Sequence, residues 1–342
     1  MTKAKPPQNP LKKIGLGGQQ LVILLSLLGL AALFSALNPA FLSERSMDNI
    51  FRVSSIYGIA ALGMTLVIIT GGIDLSVGSL FALGGALGAG LLGIAYSAAN
   101  PVKLPFFMAI LIALGVTGFM GLINGLVITR LNLAPFVVTL GMMTIARGIT
   151  YVYTDFTVRG VPGSPITFMH PWFEWLGGGY IAGIPTQGVI FVGLAVLASL
   201  FLRYTALGRN IYAVGGNIEI ARLAGINTGL VIVFTYVISG VLSGLSGIIL
   251  TGRLLSASPL AATGYELDVI AAVVIGGTSL SGGRGSIFGT VLGALIMSVL
   301  NNGLDLLNVP SFYQYLLKGI ILVMAVISDQ MYRQRVQQTN PV

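Results

Sequence analysis

Acids, amides and hydroxyls set within apolar runs are the residues of this sequence that could do chemistry. Asp74 stands in Gly71-Gly72-Ile73-Asp74-Leu75-Ser76-Val77-Gly78, the one carboxylate amid the apolar runs of the first half. A charge in hydrocarbon is expensive and marks function by default. An aspartate just after a glycine pair also suits the cap of a following helix. Asp74 is therefore either a cap or a contact for a polar ligand, with Ser76 beside it. Asn124, Asn301 and Asn302 are uncharged polar residues inside apolar runs. Amides and hydroxyls are what a hydroxylated ligand calls for, whereas ions call for charge rings or carbonyl filters. The same amides would serve equally as hydrogen bonds between helices.

Other chemistry is missing. There are no cysteines and one histidine, His170, so thiol catalysis, disulfides and multi-histidine metal sites are excluded. No G-x-x-x-x-G-K-[ST] phosphate loop occurs, so the chain is not expected to hydrolyse ATP, and H-E-x-x-H and G-x-S-x-G motifs are missing too. No cofactor is called for. The net charge of +8 does not point to nucleic acid, because the basic residues are scattered at the ends of apolar runs and form no stripe.

The elements that carry these residues are set by solvent. Of the 342 residues, 55% are hydrophobic and 8% charged, and the mean hydropathy is +0.92. Soluble domains carry about 25% charged residues, so the fold class is an all-α polytopic membrane protein. Apolar stretches predict about ten transmembrane helices, over 20–37, 53–70, 75–97, 105–128, 133–153, 187–203, 229–250, 267–277, 285–303 and 312–328. The eighth is short for a full crossing and the glycine break after the second is weak, so eight or nine crossings also fit. Lys12 and Lys13 precede a first run too long for a signal-peptide core, which reads as an uncleaved helix. Ten crossings place Lys3, Lys5, Lys12, Lys13, Arg130, Arg203, Arg209, Arg222, Arg284, Arg333 and Arg335 inside. Arg45, Arg52, Lys103, Arg159 and Arg253 fall outside. This bias predicts that both termini are cytoplasmic. Arg147 and Lys318 lie within spans and are expected to snorkel to an interface.

Two loops stand out. Residues 155–187 face outward and hold Trp172 and Trp175, which suit either a headgroup-level anchor or a docking surface. Residues 205–227 face inward; Gly215-Gly216-Asn217 breaks the chain there before a short helix, Ile218–Leu223, capped by Asn217 with Glu219 in its first turn. That helix groups Ile220 and Leu223, flanked by Glu219 and Arg222, and such a face in water suggests a partner groove. Glycines four apart (84/88, 121/125, 240/244 and 285/289/293) predict close helix packing. Finally, 71–78 is echoed by Gly276-Gly277-Thr278-Ser279-Leu280-Ser281-Gly282-Gly283, and glycine-interrupted spans flank substrate paths in transporters.

The stretches GMTLVIITGGIDLSVGSLFAL (63–83), LGRNIYAVGGNIEIARLAGIN (207–227), YELDVIAAVVIGGTSLSGGRGS (265–286) and NNGLDLLNVPSFYQ (301–314) resemble the permeases of bacterial ribose-type sugar ABC importers. The likeness runs over nearly the whole chain. It implies a single transmembrane permease domain over 1–342 in the bacterial inner membrane, translocating a monosaccharide. It further implies a permease homodimer, a cytoplasmic ATP-binding subunit and a periplasmic sugar-binding protein. On that pattern 205–227 is the coupling loop, with Gly215, Gly216, Asn217, Glu219, Ile220, Arg222 and Leu223 its expected contacts. An ion-coupled secondary sugar carrier is disfavoured by the scarcity of intramembrane acids. A branched-chain amino-acid ABC permease would want charge partners for a zwitterion. A membrane enzyme ranks below both, for want of a catalytic constellation.

Overall fold

In lipid every backbone polar group must be satisfied within the chain, so apolar runs of this length are obliged to be helical. The computed structural model describes residues 18–92, 103–158 and 163–339; Lys3, Lys5, Lys12, Lys13 and Arg159 lie outside the described residues. Thirteen α-helices follow one another along them: α1 (Gly18–Leu37), α2 (Glu44–Ile69), α3 (Val77–Gly90), α4 (Phe106–Leu131), α5 (Pro135–Val158), α6 (Pro171–Gly178), α7 (Thr186–Tyr204), α8 (Ala206–Gly216), α9 (Ile218–Leu223), α10 (Thr228–Leu254), α11 (Tyr265–Ile275), α12 (Ile287–Leu306) and α13 (Ser311–Thr339). Seven of them, α1, α2, α4, α5, α7, α10 and α12, are long and apolar enough to cross a membrane, and α3 and Ser311–Met324 of α13 are shorter apolar helices. Each of the ten expected spans falls on a helix where it is described; residues 93–97 of the third lie outside the described residues. The eighth falls on α11, which has 11 residues. A 3-10 turn (Pro39–Leu42) and four two-residue strands complete the described elements: β1 (Ile166–Thr167) pairs antiparallel with β4 (Ser256–Ala257), and β2 (Tyr180–Ile181) with β3 (Ile184–Pro185).

The spaced glycines set the packing. A Cβ at Gly121 would strike the Tyr236 carbonyl, one at Gly84 the Gly244 backbone, and one at Gly247 the Phe81 carbonyl. α10 is thereby pressed against α4 on one side and α3 on the other. Gly276 and Gly289 make the same close approach between α11 and α12. Hydroxyls add bridges where no water is available: Thr65 meets Thr290 at 2.7 Å, and Ser298 donates to the Ile50 carbonyl at 2.8 Å. The main core gathers α2, α10, α11 and α12, and α2 is buried along almost its whole length from Ser54 to Ile69.

The echoed glycine motifs are two copies of one helix ending. After α2, the Gly71 and Gly72 amides donate to the Ile68 and Val67 carbonyls; after α11, the Gly277 and Thr278 amides donate to those of Val274 and Val273. Gly71 (φ 84°) and Gly277 (φ 87°) hold the left-handed position that such an ending requires. The equivalence is one residue out of step with the pairing read from sequence. The two endings also meet, because the Gly283 amide donates to the Ile69 carbonyl at 2.8 Å.

Two expectations need correction. Gly215 and Gly216 do not break the chain, since α8 continues through both and stops at Asn217. Gly215 is small because the Ile69 carbonyl and the Gly283 amide lie where its Cβ would be. Arg147 and Lys318 do not snorkel. Arg147 donates to the carbonyls of Pro259 and Ala261 at 2.5 and 2.9 Å, and Lys318 pairs with Asp268 at 2.9 Å. Each has a partner inside the fold, which removes the reason to reach for an interface.

Candidate functional site

Helix direction sorts the molecule into two ends. α2 begins, and α10 and α12 finish, at the end where Asn49 meets both Arg253 and Asn302. At the other end α2 finishes against Gly283, beside α8 and α9.

The first end holds a polar cavity of about 440 Å3, walled by the start of α2, the ends of α10 and α12, and the starts of α11 and α13. A chain of hydrogen bonds crosses its rim. Arg253 Nη2 donates to Asn49 Oδ1 at 2.6 Å, Asn49 Nδ2 to Asn302 Oδ1 at 2.8 Å, and Asn302 Nδ2 to Ser46 Oγ at 2.7 Å. Adjacent residues on a helix diverge by about 100°, so Asn301 looks elsewhere. Its Nδ2 lies 3.5 Å from the Tyr57 hydroxyl, and its buried Oδ1 has no partner among the described residues. Tyr57 packs edge-on against Tyr265, centroids 4.8 Å apart. On α13, Gln314 donates to Asp305 Oδ1 at 2.9 Å, and Lys318, one turn on, closes the cavity with its ion pair to Asp268. Asp268 is 3% exposed, so removing Lys318 alone would strand a buried carboxylate at a cost of about 3–5 kcal/mol.

The other candidates separate from this cavity. Asp74, Ser76 and Asn124 each have no exposed surface. Asp74 Oδ1 accepts from the Ser76 amide at 3.0 Å and the Ser76 hydroxyl at 2.5 Å, and its Oδ2 accepts from Ser239 Oγ of α10 at 2.8 Å. Asn124 Nδ2 donates to Ser76 Oγ at 3.2 Å, and its Oδ1 is unpartnered. This network ties α3, α4 and α10 together behind the Gly71 turn. Asn301 and Asn302 are thus the two candidates that line the cavity.

The second end presents α9. Asn217 Oδ1 accepts from the amides of Glu219 and Ile220, both at 3.0 Å, which starts the helix where its type and position predict. Glu219 and Arg222 form an exposed pair at 3.6 Å. Ile220 is 65% exposed and Leu223 88%, whereas Ile226 folds back onto the core. Behind α9, the Tyr212 hydroxyl donates to the Gly285 carbonyl at 2.9 Å. α8, which leads into α9, therefore packs against the end of α2 and the Gly283–Gly285 stretch. Between α5 and α7, Phe173 of α6 is buried and Gly177 packs on Gly252, while Trp172 and Trp175 are exposed.

The sequence of this helical chain has counterparts among known proteins. The family described as branched-chain amino acid transport system, permease component, matches residues 46–326. The chain belongs to this permease family. Among its relatives, the ribose import permease of Bacillus subtilis (strain 168) is 46% identical over 332 residues, covering 96% of this chain and 98% of that one. The ribose import permease of Escherichia coli (strain K12) is 45% identical, covering 90% and 92%. The galactose/methyl galactoside import permease of Escherichia coli (strain K12) is 38% identical, covering 89% and 92%. None of the solved structures matches the chain. With these relatives and its seven membrane-fit helices, the permease is a multi-pass protein of the bacterial inner membrane.

Sequence reasoning missed most of the cavity wall in this permease, Asn49, Tyr57, Arg253, Tyr265, Gln314 and Lys318, and the partner of Lys318, Asp268. One signal was available. A lysine inside a span implies a carboxylate partner inside the fold, and Asp268 sits in the short eighth span, two before that of Lys318.

Proposed function

We propose that this permease is the membrane-spanning subunit of an ATP-binding-cassette importer and passes a neutral, ribose-like monosaccharide through the membrane. The observation that carries the reading is Asn301, which lines a cavity of about 440 Å3 and whose buried Oδ1 has no partner among the described residues. A side chain with unused acceptor capacity on the wall of a pocket of ligand size can turn to meet a hydroxyl. Lys318 also lines the cavity, but its charge is paired with Asp268, while Arg253 and Asp305 are held by the amides of Asn49 and Gln314. The amides and phenols of Asn49, Asn302, Gln314, Tyr57 and Tyr265 that fill much of the wall suit an uncharged polyol. The names of the relatives, ribose and galactose import, agree.

The basic-residue bias puts the cavity end outside, where a periplasmic binding protein would deliver sugar, and α9 inside, where an ATP-binding subunit would seat. Hydrolysis of ATP belongs to that subunit, and the permease works as a homodimer. In proteoliposomes carrying the full complex, ribose uptake should require ATP. Asn301→Leu should lower uptake roughly tenfold, the value of one lost buried hydrogen bond of about 1.4 kcal/mol, with ATPase association unchanged. Uptake driven by an ion gradient without the ATPase subunit, or full uptake by Asn301→Leu, would overturn the reading.

A further inference from the structure

Another cavity, of about 960 Å3, lies between the first half of α2, α7 and α12. Its floor is concave because Ser54, Ser55 and Gly188 are small. A Cβ at Gly188 would meet nothing nearer than Ile184 at 3.7 Å. Both serine hydroxyls donate to the Phe51 carbonyl, at 3.0 and 2.6 Å, so the floor offers no free donor. Phe51, Phe191, Val192 and Leu295 form the walls. A sugar would find nothing to bond in such a trench.

The mouth is different. The first turn of α2 puts Glu44 and Arg45 there, both exposed. Asp48 is taken by Arg52 at 2.6 Å, but Glu44 and Arg45 form no ion pair among the described residues. Ten residues of helix separate Arg45 from Ser55, about 15 Å of rise, or half of a hydrocarbon core about 30 Å thick. One free cation and one free anion thus sit at headgroup depth over an apolar trench one leaflet deep.

We propose that this groove is a binding site for one diacyl phospholipid with a zwitterionic, amine-bearing headgroup. An acyl chain lies over Ser54, Ser55 and Gly188, the phosphate pairs with Arg45 and the ammonium pairs with Glu44. A second copy of the chain fits less well, because it would have to bury both charges or partner them. Glu44 also selects against a purely anionic headgroup.

Native mass spectrometry of the full-length permease would test this, with phosphatidylethanolamine and phosphatidylglycerol supplied in equal amounts. The unaltered chain should retain one phosphatidylethanolamine in preference to phosphatidylglycerol by roughly tenfold, as one charge-assisted contact provides. Gly188→Leu should displace either lipid by filling the floor. Glu44→Gln, on the exposed first turn, should keep the lipid and lose the preference. Equal retention of the two lipids by the unaltered chain would overturn the proposal. So would undiminished retention in Gly188→Leu, or cross-linking of Ser54→Cys to its counterpart in a second copy. No outcome depends on which solute the permease carries.

Discussion

Asp74 holds three hydrogen bonds in a place without water. Asparagine at this position can still accept from the Ser76 amide and hydroxyl through its carbonyl, whereas leucine leaves three donors stranded at about 1–3 kcal/mol each. Asp74→Asn is therefore expected to fold and to retain most uptake. Asp74→Leu is expected to lose several kcal/mol and much of its membrane yield. Thermal unfolding in detergent, followed beside uptake, checks both. Loss of transport by a stable Asp74→Asn would instead give the charge itself a part in the pathway.

At the scale of elements, α9 is the piece whose form makes sense only with a partner. It is one and a half turns long, too short to persist alone, and is held by its Asn217 cap and by the support of α8 on the two glycine endings. Burying Ile220 and Leu223 would contribute about 3–6 kcal/mol before the costs of association. Leu223→Asp or Glu219→Arg should leave the permease folded in the membrane but reduce both ATPase co-purification and uptake. Normal values of both in both variants would remove α9 from coupling. The Gly215 contact gives movement of α9 a direct route to the end of α2, and the far end of α2 lines the cavity.

The whole molecule has an axis. Between spans, its cavity end carries Arg45, Arg52, Lys103 and Arg253, and its α9 end carries Arg130, Arg203, Arg209, Arg222 and Arg284. We propose that the α9 end, with the larger basic count, is the cytoplasmic side. Reporter fusions at either terminus should read cytoplasmic, and a fusion in the 307–310 turn should read periplasmic. A periplasmic signal from either terminus would invert the axis and with it the assignment of the cavity to sugar entry.

The membrane class, the helix positions, the close-packing glycines and the capped helix at 218–223 were legible in the sequence, because each depends on residues near one another along the chain. Lipid forces apolar runs into helices, a four-residue spacing puts glycines on one face, and Asn217 caps the helix that it precedes. The cavity was not legible. Its residues come from α2, α10, α11, α12 and α13, and only packing decides which of several polar side chains share a wall. Asn301 and Asn302 were singled out by type alone, yet their neighbours in space, Tyr57 and Asn49, lie about 250 residues away in the chain. Packing likewise joined Lys318 to Asp268 and Asp74 to Ser239. With no water to satisfy them, polar groups inside a membrane find one another across the fold, and those pairings belong to the tertiary structure.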